Sequence, residues 1–188
     1  MIEKQKIERY FASGVLDKII SFDENPFDLV ENRYAVVMFA DISGYTSISE
    51  SLTPEKTALL LNRCFSILID IVGKYKGYVD KFIGDCLLCV FGINYSENPE
   101  INSSLCALEM QESIKALNEE IKSNYNFDFN ISIGIHCGNL LLGNIGSETR
   151  MDYTVIGDTV NTASRIQQVA NPGEIVISKE LYQKISNF

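Results

Sequence analysis

A chain of 188 residues, 46% hydrophobic and 22% charged, is long enough for one domain with a buried core and a short extension, and is neither disordered nor fibrous. A formal charge of −9 argues against a nucleic-acid binder, which needs a basic face, and means that a polyphosphate ligand must arrive with cations to offset repulsion. Five cysteines, an odd count, with no secretory leader and no apolar run of membrane-spanning length, set the expected location in the reducing cytoplasm.

Residues 3–20 place Ile7, Tyr10, Phe11, Leu16, Ile19 and Ile20 at helical spacing, and the SFDENPFDLVEN that follows is rich in turn formers. This divides the chain into an N-terminal helix and linker, 1–33, and a domain, 34–188. The helix reads either as an appendage or as an element coupling the domain to an upstream or partner regulator. Residues 34–40 form a continuous apolar run that reads as a buried strand, ending at Asp41 and the small-residue turn ISGYT. Thr53-Pro54-Glu55 opens a helix with an N-cap, a proline at the first position and an acid in the first turn, and the helix reaches about Tyr75. Its apolar positions Leu59, Leu60, Cys64, Leu68, Ile71 and Val72 share one broad face.

YVDKFIGDCLLCVFG, 78–92, reads as a hairpin with Asp85 at its tip. Cys86 and Cys89 within it are three apart in a strand. They therefore face opposite sides and cannot grip one metal. Residues 100–123 are helical. Residues 128–136 alternate Phe129, Ile131, Ile133 and Ile135 as a half-buried strand, and 138–146 gives another. A helix over 158–170 ends at Asn171-Pro172-Gly173, and a short strand, 174–177, and a last helix, 179–186, complete the pattern. Strict β-α alternation is absent. The expected class is therefore α+β, a ferredoxin-like sandwich with a mixed, mostly antiparallel sheet and flanking helices.

Asp41 ends one strand and Asp85 tips a hairpin. If those strands are neighbours, both carboxylates reach the same end of the sheet. Two carboxylates and the backbone carbonyl after Asp41 suit one or two Mg²⁺ ions, which prefer oxygen ligands and keep waters and substrate phosphates. The turn Ile42, Ser43, Gly44, Tyr45, Thr46 offers amides to phosphate. The plain alternative is that both acids are turn residues, as Asp commonly is. Asn161 and Arg165 lie four apart on one helix face, suited to a polar ligand and a phosphate, though exposed pairs of this kind often serve only solubility. Lys81 stands in an apolar strand at an even spacing from Val79 and Asp85, hence on their face. It reads as a donor to a base nitrogen or as a surface lysine on an edge strand. The lone histidine, His136, reads as structural.

Four blocks, FADISGYTSISE, DKFIGDCLLCVFG, SIGIHCGNLLLGNIGS and RMDYTVIGDTVNTASRI, in this order and spacing, resemble the class III nucleotidyl cyclase catalytic domain over about 34–185. The resemblance implies that Asp41, Asp85 and the Ile42 carbonyl hold two Mg²⁺ or Mn²⁺ ions. It implies that Lys81 and Thr154 read the purine, with lysine pointing to adenine in a bacterial-type adenylyl cyclase. It implies that Asn161 and Arg165 orient the ribose and stabilise the transition state, and that Arg150 touches phosphate. The substrate is then ATP and the product 3′,5′-cyclic AMP. The active form is a head-to-tail homodimer in which the acids of one subunit face the base-reading and Asn/Arg residues of the other. The family pattern continues past the last helix into a strand pair with a basic residue for the triphosphate. The sequence given stops at Phe188, and Lys179 and Lys184 in the preceding helix do not take that place. A nucleotide-binding or dimerisation module without turnover therefore stays open as an alternative, and a guanylyl cyclase is disfavoured by Lys81.

Overall fold

A computed structural model of the chain describes residues 30–93 and 97–187. The expected N-terminal helix and most of its linker lie outside the described residues, while residues 30–33, expected as the end of that linker, are the first residues of β1. In chain order the elements are β1 (Val30–Ile42), α1 (Tyr45–Ser51), α2 (Pro54–Lys74), β2 (Tyr78–Ile83), β3 (Cys86–Phe91), α3 (Pro99–Tyr125), β4 (Ile131–Ser147), β5 (Arg150–Ile156), α4 (Asp158–Gln168), β6 (Ile175–Ile177) and α5 (Lys179–Ile185). Five strands form an antiparallel sheet in the order β2-β3-β1-β4-β5, and β6 adds to β4 in parallel. This is the mixed α+β architecture expected from the element order.

β1 shows why its run is apolar throughout rather than alternating. Val36, Met38, Ala40 and Ile42 enter a core shared with α2 and α3, while Ala35, Val37 and Phe39 enter a second core shared with β5 and α4. A strand covered on both faces needs apolar residues at every position. Asp41 is the last residue of the strand on the second face, and it is half-buried.

α2 begins as its sequence dictates. The Thr53 hydroxyl accepts from the Lys56 amide at 3.4 Å, and Pro54 takes the first position. Leu60, Cys64, Leu68, Ile71 and Val72 are buried, joined by Phe65. Leu59, expected on the same face, is instead 68% exposed. One residue is a 100° turn of the helix, which carries Leu59 off the edge of the buried stripe.

The β2–β3 hairpin turns at Gly84-Asp85, with Gly84 at φ 65°, a left-handed conformation that glycine adopts without strain. Within it the simple alternation fails. Val79 pairs with Cys89 and Lys81 with Leu88, so Asp80 is an extra residue, a β-bulge. Val79 consequently packs toward α2 and α3, whereas Lys81 turns to the other face beside Phe39 and Leu88. The even spacing that placed Val79 and Lys81 together is overruled by one inserted residue.

Two strands expected at 128–136 and 138–146 are one strand, β4, running against β1 without a break from Ile42↔Ile131 to Val30↔Gly143. Gly138 is not a turn. It is a glycine because α4 lies on the strand: an added Cβ there would come 2.7 Å from the Thr159 hydroxyl, and one at Gly134 would come 2.2 Å from the Gln167 backbone nitrogen. Beneath α4 the first half of β4 is buried on both faces, not half-buried, and Gln167 Nε2 donates to Ser132 Oγ at 3.0 Å. The hairpin partner of β4 is β5, in a stretch to which sequence patterning assigned no element.

Candidate active site

The sheet places the two acids together. Asp41 lies opposite Cys86 across β1 and β3, and Asp85 immediately precedes Cys86. Burial pushes the Asp41 carboxyl above its ordinary range, the Asp85 charge adds to this, and the Cys86 thiol partly offsets it. Burial likewise raises Asp85, whose own backbone amide pulls it back in part. The Cys86 thiol, buried and then pressed by both carboxylates, is pushed up to about 12. No ion pair between described residues reaches either acid. Two crowded, half-buried carboxylates without a basic partner form an oxygen donor set that fits a hard divalent cation. Among the described residues no group of three His, Cys, Asp or Glu side chains is placed to hold a metal, so backbone, water and substrate phosphate must complete any coordination. Ile42, the expected carbonyl donor, ends β1 with its side chain buried, so only its backbone is available there.

The phosphate turn is partly committed. The Ser43 amide donates to the Asn130 carbonyl at 2.9 Å and is not available to a ligand, which corrects the expectation for that residue. Gly44 is the N-cap of α1 with φ 72°, and the first amides of the helix, those of Tyr45 and Thr46, have no intrahelical acceptor.

A cleft of about 460 Å³ opens on the second face of the sheet, a size suited to a small ligand. Phe39 and Leu88 line it from the centre of the sheet. Lys81 and Ile83 come from β2, and Asp152, Thr154 and Ile156 from alternate positions of β5. Asn161 and Ser164 come from α4. β2 and β5 are the two ends of the main strand order, yet the sheet curls until they meet: Thr154 Oγ1 donates to Asp80 Oδ2 at 2.7 Å. Lys81 Nζ stands 3.7 Å from Asp80 Oδ2 and 4.0 Å from Asp152 Oδ2. Burial pushes the Asp80 carboxyl up, against the Thr154 hydrogen bond and the Lys81 charge, which lower it.

The structure thus gathers Lys81, Thr154 and Asn161 in one cleft, and Asp41 with Asp85 at the end of the sheet. Arg165 is exposed one turn after Asn161 and does not line the cleft. Arg150 is exposed at the tip of the β4–β5 hairpin, paired with Ser147. Asp80 and Asp152 were missed from sequence. The signal available was the acid directly before Lys81 in an apolar strand, a costly placement unless it is partnered. His136 faces Glu180 at 3.8 Å, away from these groups, in keeping with a structural role.

The family model described as the adenylate and guanylate cyclase catalytic domain matches residues 30–188. The chain belongs to that family. The cyclase domain is 31% identical over 131 residues to Adenylate cyclase 1 of Rhizobium meliloti, a match covering 69% of this chain and 20% of that protein. The chain spans between 20% and 32% of the length of the curated relatives it matches. Among solved structures it resembles the adenylyl cyclase CyaB from P. aeruginosa, with a TM-score of 0.81 and 34% identity over 84% of this chain and 83% of that one. It also resembles the guanylyl cyclase Cya2, with a TM-score of 0.77 and 32% identity over 82% and 79%. Cyclase catalytic domains use divalent metals, which agrees with the donor set at Asp41 and Asp85. No described helix of this cyclase domain is long and apolar enough to cross a membrane.

Proposed function

We propose that this cyclase domain is an adenylyl cyclase that converts ATP to 3′,5′-cyclic AMP and pyrophosphate at sites shared by two head-to-tail copies of the chain. The observation that carries the reading is the meeting of Lys81 and Thr154, from opposite edges of the sheet, in one apolar cleft of nucleotide-base size. The Lys81 ammonium has donors only, and adenine offers an acceptor at N1. The Thr154 hydroxyl can accept from the N6 amine. Guanine reverses the pattern at both positions and leaves polar groups unpaired, a cost of about 1–3 kcal/mol each.

In the reaction the ribose 3′-oxygen bonds to its own α-phosphorus. The bond from that phosphorus to the bridging oxygen breaks, pyrophosphate leaves, and the 3′-hydroxyl proton passes to solvent. Asp41, Asp85 and the Ile42 carbonyl would hold the divalent cations, Mg²⁺ or Mn²⁺ and two per site, which when bound neutralise the triphosphate and lower the pKa of the 3′-hydroxyl. Asn161 orients the ribose from the rim of the cleft. Arg165 stabilises charge on the α-phosphoryl group as it transfers, and Arg150 and the amides of Gly44, Tyr45 and Thr46 receive phosphate oxygens.

The homodimer reading rests on what one cleft contains. Lys81, Thr154 and Asn161 line it, and Asp41 and Asp85 do not. Ile83, Ile145 and Ile156 at its walls stay 51%, 37% and 37% exposed, an apolar rim that a second copy would cover. Incubating the purified chain with ATP or GTP and Mg²⁺ or Mn²⁺, at several protein concentrations, tests the proposal by product mass. Cyclic AMP, with a rate per chain that rises with concentration, is the expected result. Cyclic GMP formed with an equal or higher kcat/KM would overturn the assignment of substrate.

A further inference from the structure

We propose that Asp80, which does not line the cleft, is a positioning residue that sets its purine preference by holding the Thr154 hydroxyl as a pure acceptor. The inference rests on the base-reading role given above to Lys81 and Thr154. Asp80 is the extra residue of the β2 bulge, and its side chain is 0% exposed. A carboxylate sealed within an edge strand is a costly placement, so its contacts matter. Its Oδ2 accepts the Thr154 proton at 2.7 Å, within the range of a hydroxyl bound to a carboxylate, and lies 3.7 Å from Lys81 Nζ. Its Oδ1 is buried with no hydrogen-bond partner; the Thr154 hydroxyl gives the carboxylate its shortest hydrogen bond, with the Val155 backbone amide and the Lys81 ammonium adding to it.

A threonine hydroxyl carries one proton and two lone pairs, and left alone it rotates to suit either a donor or an acceptor. A free hydroxyl at position 154 would therefore serve the N6 amine of adenine by accepting and the O6 of guanine by donating. It would tell the two apart poorly. With its proton committed to Asp80, the oxygen turns only lone pairs toward the cleft. The amine is then matched and O6 is opposed. The same bulge that buries Asp80 turns Lys81 from the α2 side of the sheet to the cleft side. One inserted acidic residue thus sets the direction of both base-facing groups.

The test compares kcat/KM for ATP, GTP and purine riboside triphosphate, which lacks the 6-amino group. The proteins compared are the wild type, Asp80→Asn, Thr154→Val and the double variant. The wild type is expected to prefer ATP over purine riboside triphosphate by about tenfold, the cost of one missing hydrogen bond to a group held for it. Asp80→Asn is expected to bring that ratio toward one and to lower the ATP-over-GTP ratio about tenfold. Turnover of purine riboside triphosphate should stay within about twofold of wild type. In the Thr154→Val background Asp80→Asn should change neither ratio. An equal loss on all three nucleotides marks a merely structural carboxylate and overturns the inference, as do ratios unchanged in Asp80→Asn. If Asp80→Asn does not fold, Thr154→Val alone decides: a ratio of ATP to purine riboside triphosphate as high as in the wild type means that the hydroxyl does not read the amine, and Asp80 cannot act through it. A wild type with no preference for ATP over GTP would instead bring down the base-reading assignment itself.

Discussion

Asp41 and Asp85 carry the first prediction at the scale of single residues. Each carboxyl is held above its ordinary range in the folded chain, chiefly by burial. The folded state therefore binds these protons more tightly than the unfolded state. Their contribution to stability is favourable below the unfolded carboxylate range and is lost as pH rises through the folded values. Once ionised, each works against folding. In a chelator at pH 7, Asp41→Asn and Asp85→Asn should each raise the melting temperature. Added Mg²⁺ or Mn²⁺ should raise it in the wild type and not in the variants. The same changes should lower kcat roughly a hundredfold or more, because a bound divalent ion supplies several kcal/mol of charge stabilisation. A variant that melts lower in chelator, or keeps its turnover, would contradict the assignment. Lys81→Glu should invert the contact at N1 and lower kcat/KM for ATP by roughly ten- to a hundredfold, read against GTP in the same assay. The two acids stood out in the sequence because each adjoins a recognisable strand end or turn, and Lys81 because it is a charge within an apolar strand. Asp80 and Asp152 were not. Their importance depends on a bulge that reverses the side-chain alternation and on a meeting of strands more than seventy residues apart.

At the scale of elements, α4 is the part on which position matters most, because it brings Asn161 to the cleft and Arg165 one turn beyond. It lies close on β4 only because Gly134 and Gly138 have no side chain. Gly134→Ala would drive a methyl to 2.2 Å from the Gln167 backbone nitrogen, and a backbone atom cannot rotate away. The variant should lose about 1–3 kcal/mol or more of stability, and kcat should fall with it as α4 shifts. Thr53→Ala makes a useful contrast. It removes the cap of α2 and should cost about 1 kcal/mol in chemical denaturation while leaving the ratio of ATP to GTP turnover unchanged. Helix α2 and the β2–β3 hairpin were readable from a cap, a proline and the Gly-Asp turn. The continuity of β4 was not, because Gly138 looks like a break until a helix is known to pack on it. β5 was hidden because RMDYTVI is short and mixes charge with apolar residues, and its burial comes from the curl of the sheet rather than from its own pattern.

At the scale of the molecule, the curl of the sheet makes the cleft, and the fold keeps two groups of candidate side chains apart. The carboxylates that fit a cation stand at the end of β1 and at the β2–β3 turn, and Lys81 and Thr154 line the cleft with Asn161. A net charge of −9 makes cations necessary for a triphosphate to bind to either group. Two copies arranged head to tail would join the acids of one to the cleft of the other, twice over. The most direct measurement is complementation between two disabled chains, Asp85→Asn and Asn161→Ala, assayed for cyclic AMP separately and after mixing in equal amounts. Either variant alone should make almost no product. The mixture should recover roughly a quarter of wild-type activity, because half of the dimers then hold one intact site of two. A mixture as inactive as its components, with both variants folded and paired, would contradict the shared site and place the whole reaction within a single subunit.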